Sequence, residues 1–130
     1  MYERRLVYIA GPYTRPDPVA NTRAALDTAE RLHATGVVTC VVPHLTMLWH
    51  FAHPHDLEYW YELDLATLAR CDALLRIPGE STGADREVTF AAQRGIPVFR
   101  DADALLAWVT TREGGARQSG RATGHRACAY

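Results

Sequence analysis

Lysine is missing from this chain. All fourteen basic residues among its 130 are arginine, which excludes Schiff-base chemistry and the phosphate-gripping lysine of a Walker-type loop. Cysteine is scarce. Cys40, Cys71 and Cys128 form an odd set without a C-x-x-C pair, the pattern of free thiols in a reducing cytoplasm. Long apolar runs are absent from the first thirty residues, which carry Glu3, Arg4, Arg5, Arg15, Asp17, Arg23, Asp27 and Glu30. Neither a secretory signal nor a membrane span is expected there. An excess of either charge is lacking too: the formal net charge is -1 and the arginines are scattered, so no nucleic-acid or membrane partner is expected.

What is present suffices for one core, since 48% of the residues are hydrophobic in a chain of single-domain length. Arg5-Leu-Val-Tyr-Ile-Ala10 reads as a strand stopped by Gly11-Pro12. Ala24, Leu26, Ala29 and Leu32 then recur at helical spacing up to Gly36. Val37-Val-Thr-Cys-Val-Val42 is a β-branched run ended by Pro43, hence a second buried strand. Residues 43–56, with two prolines and four histidines, read as an irregular loop with room for a short helical turn. Leu57 to Arg70 is helical, Ala73-Leu-Leu-Arg-Ile77 a third strand, and about Ala84 to Arg94 another helix. Pro97-Val-Phe99 is a fourth strand and Ala102 to Thr110 a last helix.

Four alternations of strand and helix with short connections predict a three-layer α/β domain over residues 1–112. Its sheet has four to five mostly parallel strands, Rossmann- or flavodoxin-like, covered on both faces. Ligands of such sheets gather at the carboxyl ends of the strands, which brings Gly11–Thr14, Pro43–His44 and Pro78–Gly83 around one crevice. The segment 113–130, with four glycines and three arginines, has no apolar period and is expected to be a mobile tail.

Several residues in these loops carry chemistry. The loop Pro78-Gly-Glu-Ser-Thr-Gly-Ala-Asp-Arg-Glu87 joins a buried strand to a helix. Either it is an ordinary turn, or its N–H groups meet an anion that Gly79, Ser81, Gly83 and Ala84 let approach. Glu87 is expected in the first turn of the helix, where a carboxylate also suits the dipole. Asp64 shares a helical stripe with Trp60, Leu68 and Cys71; a carboxylate there either caps a loop or meets a ligand. Tyr8 lies near the end of the first strand, on the face of Leu6 and Ala10. It is either a core tyrosine or one whose hydroxyl reaches the crevice. His44, His50, His53 and His55 match no strong zinc spacing, so a polar, aromatic-flanked covering loop is expected rather than a metal site. Trp49, Phe51, Trp60 and Tyr61 either stack on a planar ligand or pack.

Taken in order, Tyr8-Ile-Ala-Gly-Pro-Tyr-Thr14, Pro43-His44, Asp64 to Asp72, Pro78-Gly79 and Ser81-x-Gly-x-x-x-Glu87 resemble the nucleoside 2-deoxyribosyltransferase-like superfamily. That superfamily includes the deoxynucleoside 5'-monophosphate N-glycosidases. The resemblance runs from about Leu6 to Phe99. It implies that Glu87 is the nucleophile forming a glycosyl-enzyme intermediate, that Tyr8 positions that carboxylate, and that Asp64 assists the leaving nucleobase. Gly11, Pro12, Tyr13, Thr14, His44, Gly79, Ser81 and Gly83 then line the substrate site, with Ser81 matching the serine that holds a 5'-phosphate. A serine hydroxyl beside helix N–H groups can donate to a phosphate, whereas the aspartate of free-nucleoside transferases would repel it. Pro12 departs from the monophosphate branch, which has a phosphate-binding serine there. The resemblance further implies a small-molecule nucleoside or nucleotide substrate, no cofactor or metal, and a homodimer or larger homo-oligomer. Hydrolysis of the N-glycosidic bond is the expected activity; base exchange between deoxynucleosides and a non-catalytic nucleotide-binding module are the alternatives.

Overall fold

The computed structural model describes residues 4–111. Segment 113–130, expected to be a mobile tail, lies outside them. The elements are β1 (Arg5–Ala10), α1 (Pro18–His33), β2 (Val38–Val41), a single 3-10 turn (Pro43–Leu45), α2 (Thr46–Ala52), α3 (Leu57–Leu68), β3 (Ala73–Arg76), α4 (Thr82–Gln93), β4 (Val98–Phe99) and α5 (Ala102–Val109). The four strands form one all-parallel sheet in the order β2-β1-β3-β4. This is the α/β, Rossmann/flavodoxin-like architecture expected.

Strand parity divides the core into two layers. Val7 and Ile9 of β1 face one side with Ala73 and Leu75, and are covered by Ala25 and Leu32 of α1 and Leu105 and Val109 of α5. Tyr8, Ala10 and Leu74 face the other side, covered by Leu68 of α3 and Ala84 and Ala91 of α4. Both strands are therefore apolar on both faces, as a doubly covered parallel sheet requires. Asp72, just before β3, accepts from the Leu6 N–H at 2.8 Å and faces the buried Arg5 at 3.4 Å, locking the amino ends of β1 and β3 together.

Helix starts follow side-chain capping. Asp17, Asp56, Ser81 and Asp101 each accept from backbone N–H groups in the first turn of α1, α3, α4 and α5, satisfying donors that have no partner within the helix. Most boundaries shift by a residue or two from the sequence reading, and two differences bear on the site. Segment 43–56, expected to be largely irregular, contains the seven-residue α2, none of whose residues is buried. α4 begins at Thr82, because Ser81 caps it through the Ala84 N–H at 3.0 Å. Glu87 is therefore the sixth helical residue. It lies in the second turn, not the first, so proximity to the helix terminus does not account for it.

The order β2-β1-β3-β4 reverses direction between β1 and β3, and in open α/β sheets such a switch point opens a crevice at the strands' carboxyl ends. Here the crevice is bordered by Gly11, which follows β1, and Ile77, which follows β3.

Candidate active site

The loops at that end of the sheet interlock. Gly11 is buried, and a Cβ there would lie 2.3 Å from Ile77 Cγ1. Gly79 has φ +120°, and a Cβ there would lie 2.5 Å from Pro12 Cγ, so only glycine suits either position. His44, buried behind the turn after β2, bonds the Pro12 carbonyl through Nε2 at 2.9 Å and sits edge-on to Tyr13. Burial pushes the His44 imidazole below its ordinary pKa, so the neutral ring acts as a strut to the Gly11–Tyr13 loop. Asn21 of α1 completes the anchoring by donating to the Tyr13 and Arg15 carbonyls at 3.0 and 2.9 Å. Three sequence-distant loops thus meet around one crevice.

Beneath them Tyr8, Glu87 and Asp64 come together. Tyr8 is fully buried, and its hydroxyl donates to Glu87 Oε2. Its ring packs in the core while its hydroxyl is satisfied by the carboxylate, as the core-tyrosine reading expects. Burial and the neighbouring Glu87 and Asp64 carboxyls push its phenol far above the ordinary range, so it remains a proton donor. Glu87 is 6% exposed. Burial lifts its pKa to about 7, against the opposing pull of the Tyr8 hydrogen bond and the Arg76 charge. Asp64 on α3 is half-buried, and burial, reinforced by Glu87, lifts it to about 8. Both carboxyls therefore keep their protons to higher pH than free acids do.

Asp64 caps no loop. Among the described residues none donates a hydrogen bond to it; the acid that bridges to a loop is Asp72. Asp64 instead lines a cavity of about 250 Å³ with Tyr8, Pro43, Thr46, Trp49 and Thr67. Glu87 is outside that lining and is hydrogen-bonded to Tyr8, which is part of it. A second hollow, about 460 Å³ on the outer side of α3 and α4, touches none of these three residues. The smaller cavity adjoins Asp64 and Tyr8.

The remaining residues expected to bind substrate are distributed unevenly. Pro12, Tyr13 and Gly79 edge the crevice, and the Ser81 oxygen caps α4, leaving its hydroxyl proton available to donate. Thr14 and Gly83 are exposed. Of the aromatic residues, Trp49 is on the cavity wall, whereas Trp60 is buried among His50, His55, Tyr59 and Trp49. Tyr61 packs beneath the Arg86 guanidinium, 3.7 Å away. The histidine-rich loop is tied up in packing: Trp60 Nε1 donates to His50 Nδ1 at 2.8 Å, and His55 stacks on Tyr59. Among the described residues no three His, Cys, Asp or Glu side chains converge as metal ligands would.

Residues 5–100, from the start of β1 through β4, match the family model of DUF4406, a domain of unknown function. The chain belongs to the DUF4406 family. The matched region contains Tyr8, His44, Asp64 and Glu87 and leaves α5 outside. No curated protein matches this DUF4406 chain. No described helix of the domain is long and apolar enough to cross a membrane.

Three polar residues around the DUF4406 site escaped the sequence reading, one of them charged. Arg76, the last residue of β3, is buried on the Tyr8 face. The signal was present: a charge inside Ala73-Leu-Leu-Arg-Ile77, a strand otherwise apolar on both faces, requires a partner. Thr46 and Thr67 on the cavity wall were also missed, and nothing in their local sequence distinguishes them from surface threonines.

Proposed function

We propose that this domain cleaves the N-glycosidic bond of a nucleoside or nucleoside 5'-monophosphate. The observation that carries the proposal is the buried Tyr8–Glu87 hydrogen bond with Asp64 beside it at the sheet's switch point. Two carboxyls, both lifted toward neutral pH by burial, are suited to nucleophile and acid roles.

In this reading Glu87, the more acidic of the two, attacks C1' of the sugar with a carboxylate oxygen. The C1'–N bond breaks, its electron pair leaves with the base, and the Asp64 carboxyl donates its proton to that base. Tyr8 orients the attacking carboxylate. Water then adds to C1', gives a proton to the Asp64 carboxylate, and frees Glu87 as the sugar departs. A second base in place of water gives exchange. The Ser81 hydroxyl and the N–H groups opening α4 are suited to a 5'-phosphate. No step requires a metal or cofactor.

The cavity is slightly smaller than the ~300–1,000 Å³ common for drug-sized ligands. Leu45, Leu48, Trp49 and Phe51 are exposed beside it; the reading includes a second copy of the chain packing there to complete the wall. The reduced thiols Cys40 and Cys71 fit a cytoplasmic enzyme.

The test is mass spectrometry after incubation with a panel of nucleosides and their 5'-monophosphates, with and without a second free base. Release of base and sugar is expected, and a new nucleoside in the presence of added base identifies exchange. Glu87→Gln should lower turnover at least about a thousandfold while the far-UV spectrum is unchanged. Nucleotide binding without release of base over hours would replace catalysis with a binding module.

A further inference from the structure

An arginine inside a parallel strand is costly unless its donors are satisfied. Arg76 is 6% exposed, and its guanidinium spans three segments. It donates through Nη1 to the Ile77 carbonyl, and through Nη2 to the Gly79 carbonyl at 2.8 Å and to Asp85 Oδ1 at 3.1 Å. The end of β3, the glycine loop and the first turns of α4 are thereby tied to one planar group. Its Nε has no partner among the described residues. The ion pair with Asp85 is lopsided: that carboxylate is 67% exposed, so water screens it, while the guanidinium stays inside the fold.

Glu87 lies two residues beyond Asp85, on the buried side of α4. The charged and titratable groups facing it are Tyr8 from β1, Asp64 from α3 and Arg76 from β3, while Asp85 and Arg86 of its own helix are exposed. Two of the three facing groups favour an ionised Glu87 against burial: Tyr8 by its hydrogen bond and Arg76 by its charge. The cation among them is Arg76, and its charge lowers the Glu87 pKa against burial.

We propose that Arg76 is a positioning residue for Glu87: it fixes the loop from Ile77 to Ser81 against the first turns of α4 and sets a buried positive charge on the sheet face that α4 and Glu87 cover. This rests on the reading of Glu87 as the reacting carboxylate. A lysine could preserve the charge but not the planar fork that spans two carbonyls, so the two contributions separate by substitution.

The experiment is an NMR pH titration of the full chain labelled with carboxyl-¹³C glutamate, with Glu87→Gln assigning the resonance. Arg76→Gln should raise the Glu87 midpoint by about one pH unit, and Arg76→Lys should restore at least half of that shift. With any substrate found by the panel above, Arg76→Lys should raise KM more than it lowers kcat. A folded Arg76→Gln protein with its midpoint unmoved, or glutamine and lysine variants shifting it equally, would reduce Arg76 to a loop staple and overturn the inference. Should Arg76→Gln fail to fold, Asp85→Asn replaces it. Removing the exposed counter-charge should lower the midpoint by a few tenths of a unit, and an unchanged or raised midpoint overturns the inference. The titration needs no substrate. A moved midpoint in a protein that cleaves no nucleoside would retain Arg76 as the positioning group and discard the glycosidic reading.

Discussion

The Tyr8 hydroxyl donates to Glu87 Oε2 across 79 positions of sequence. It joins the central strand of the sheet to the second turn of α4, and both side chains are closed to bulk solvent. A buried carboxylate with one phenolic donor is oriented, because burial penalises every arrangement in which that donor is lost.

Tyr8→Phe tests that relationship. The ring still fills its place in the core, so the cost in stability should be about 1–3 kcal/mol, measured by urea unfolding near pH 8. Because the hydrogen bond lowers the Glu87 pKa, its loss should move the carboxyl above about 7. Turnover should fall about tenfold to a hundredfold, with the acid limb of the pH–rate profile displaced upward. An acid limb moving downward would contradict the geometry.

Asp64 and Glu87 make stability depend on pH in a defined direction. Both titrate higher in the folded chain than free carboxyls do, at about 8 and about 7, with burial the first cause in each. The folded state therefore binds these protons more tightly than the unfolded chain. The stability contributed by these two groups is complete below the ordinary carboxylate range and is lost as pH rises through 7 to 8. The thermal midpoint should fall between about pH 5 and about pH 8.5, and Asp64→Asn, which cannot ionise, should flatten much of that fall. Equal slopes in the two proteins would place Asp64 in a solvated environment.

Gly11 and Ile77 should be energetically coupled. A Cβ at position 11 would lie 2.3 Å from Ile77 Cγ1, so Gly11→Ala should destabilise the fold by about 1–3 kcal/mol through overpacking. Ile77→Ala removes the obstructing atoms. In that background Gly11→Ala should cost at least about 1 kcal/mol less, as read from a double-mutant cycle of urea midpoints. Strict additivity would mean that the two loops do not meet.

The order of elements was legible because local rules governed it. Largely apolar runs bounded by Gly11-Pro12, Pro43 and Pro78-Gly79 marked the first three strands, and alternation with helices implied the parallel sheet. In the 43–56 segment only a short helical turn was legible, because Pro43 and Pro54 mask the helical stretch between them, and α2 buries no residue that would give it an amphipathic signature. The start of α4 was placed late because Ser81 looked like part of the loop. It is the cap that defines the helix, so Glu87 moved into the second turn.

Composition and residue order were enough to determine the class of the domain, its two apolar layers, and the presence of an acid on α3 and another on α4. Such properties depend on spacing along one element, which a linear reading contains. The tertiary structure alone decided that Glu87 points at the Tyr8 hydroxyl, that Asp64 lines a cavity instead of capping a loop, and that Arg76 reaches both Gly79 and α4. Those outcomes depend on the register of β1 against β3 and on the seating of α4 over them, and an ångström of displacement, invisible in the order of residues, separates a hydrogen bond from empty space.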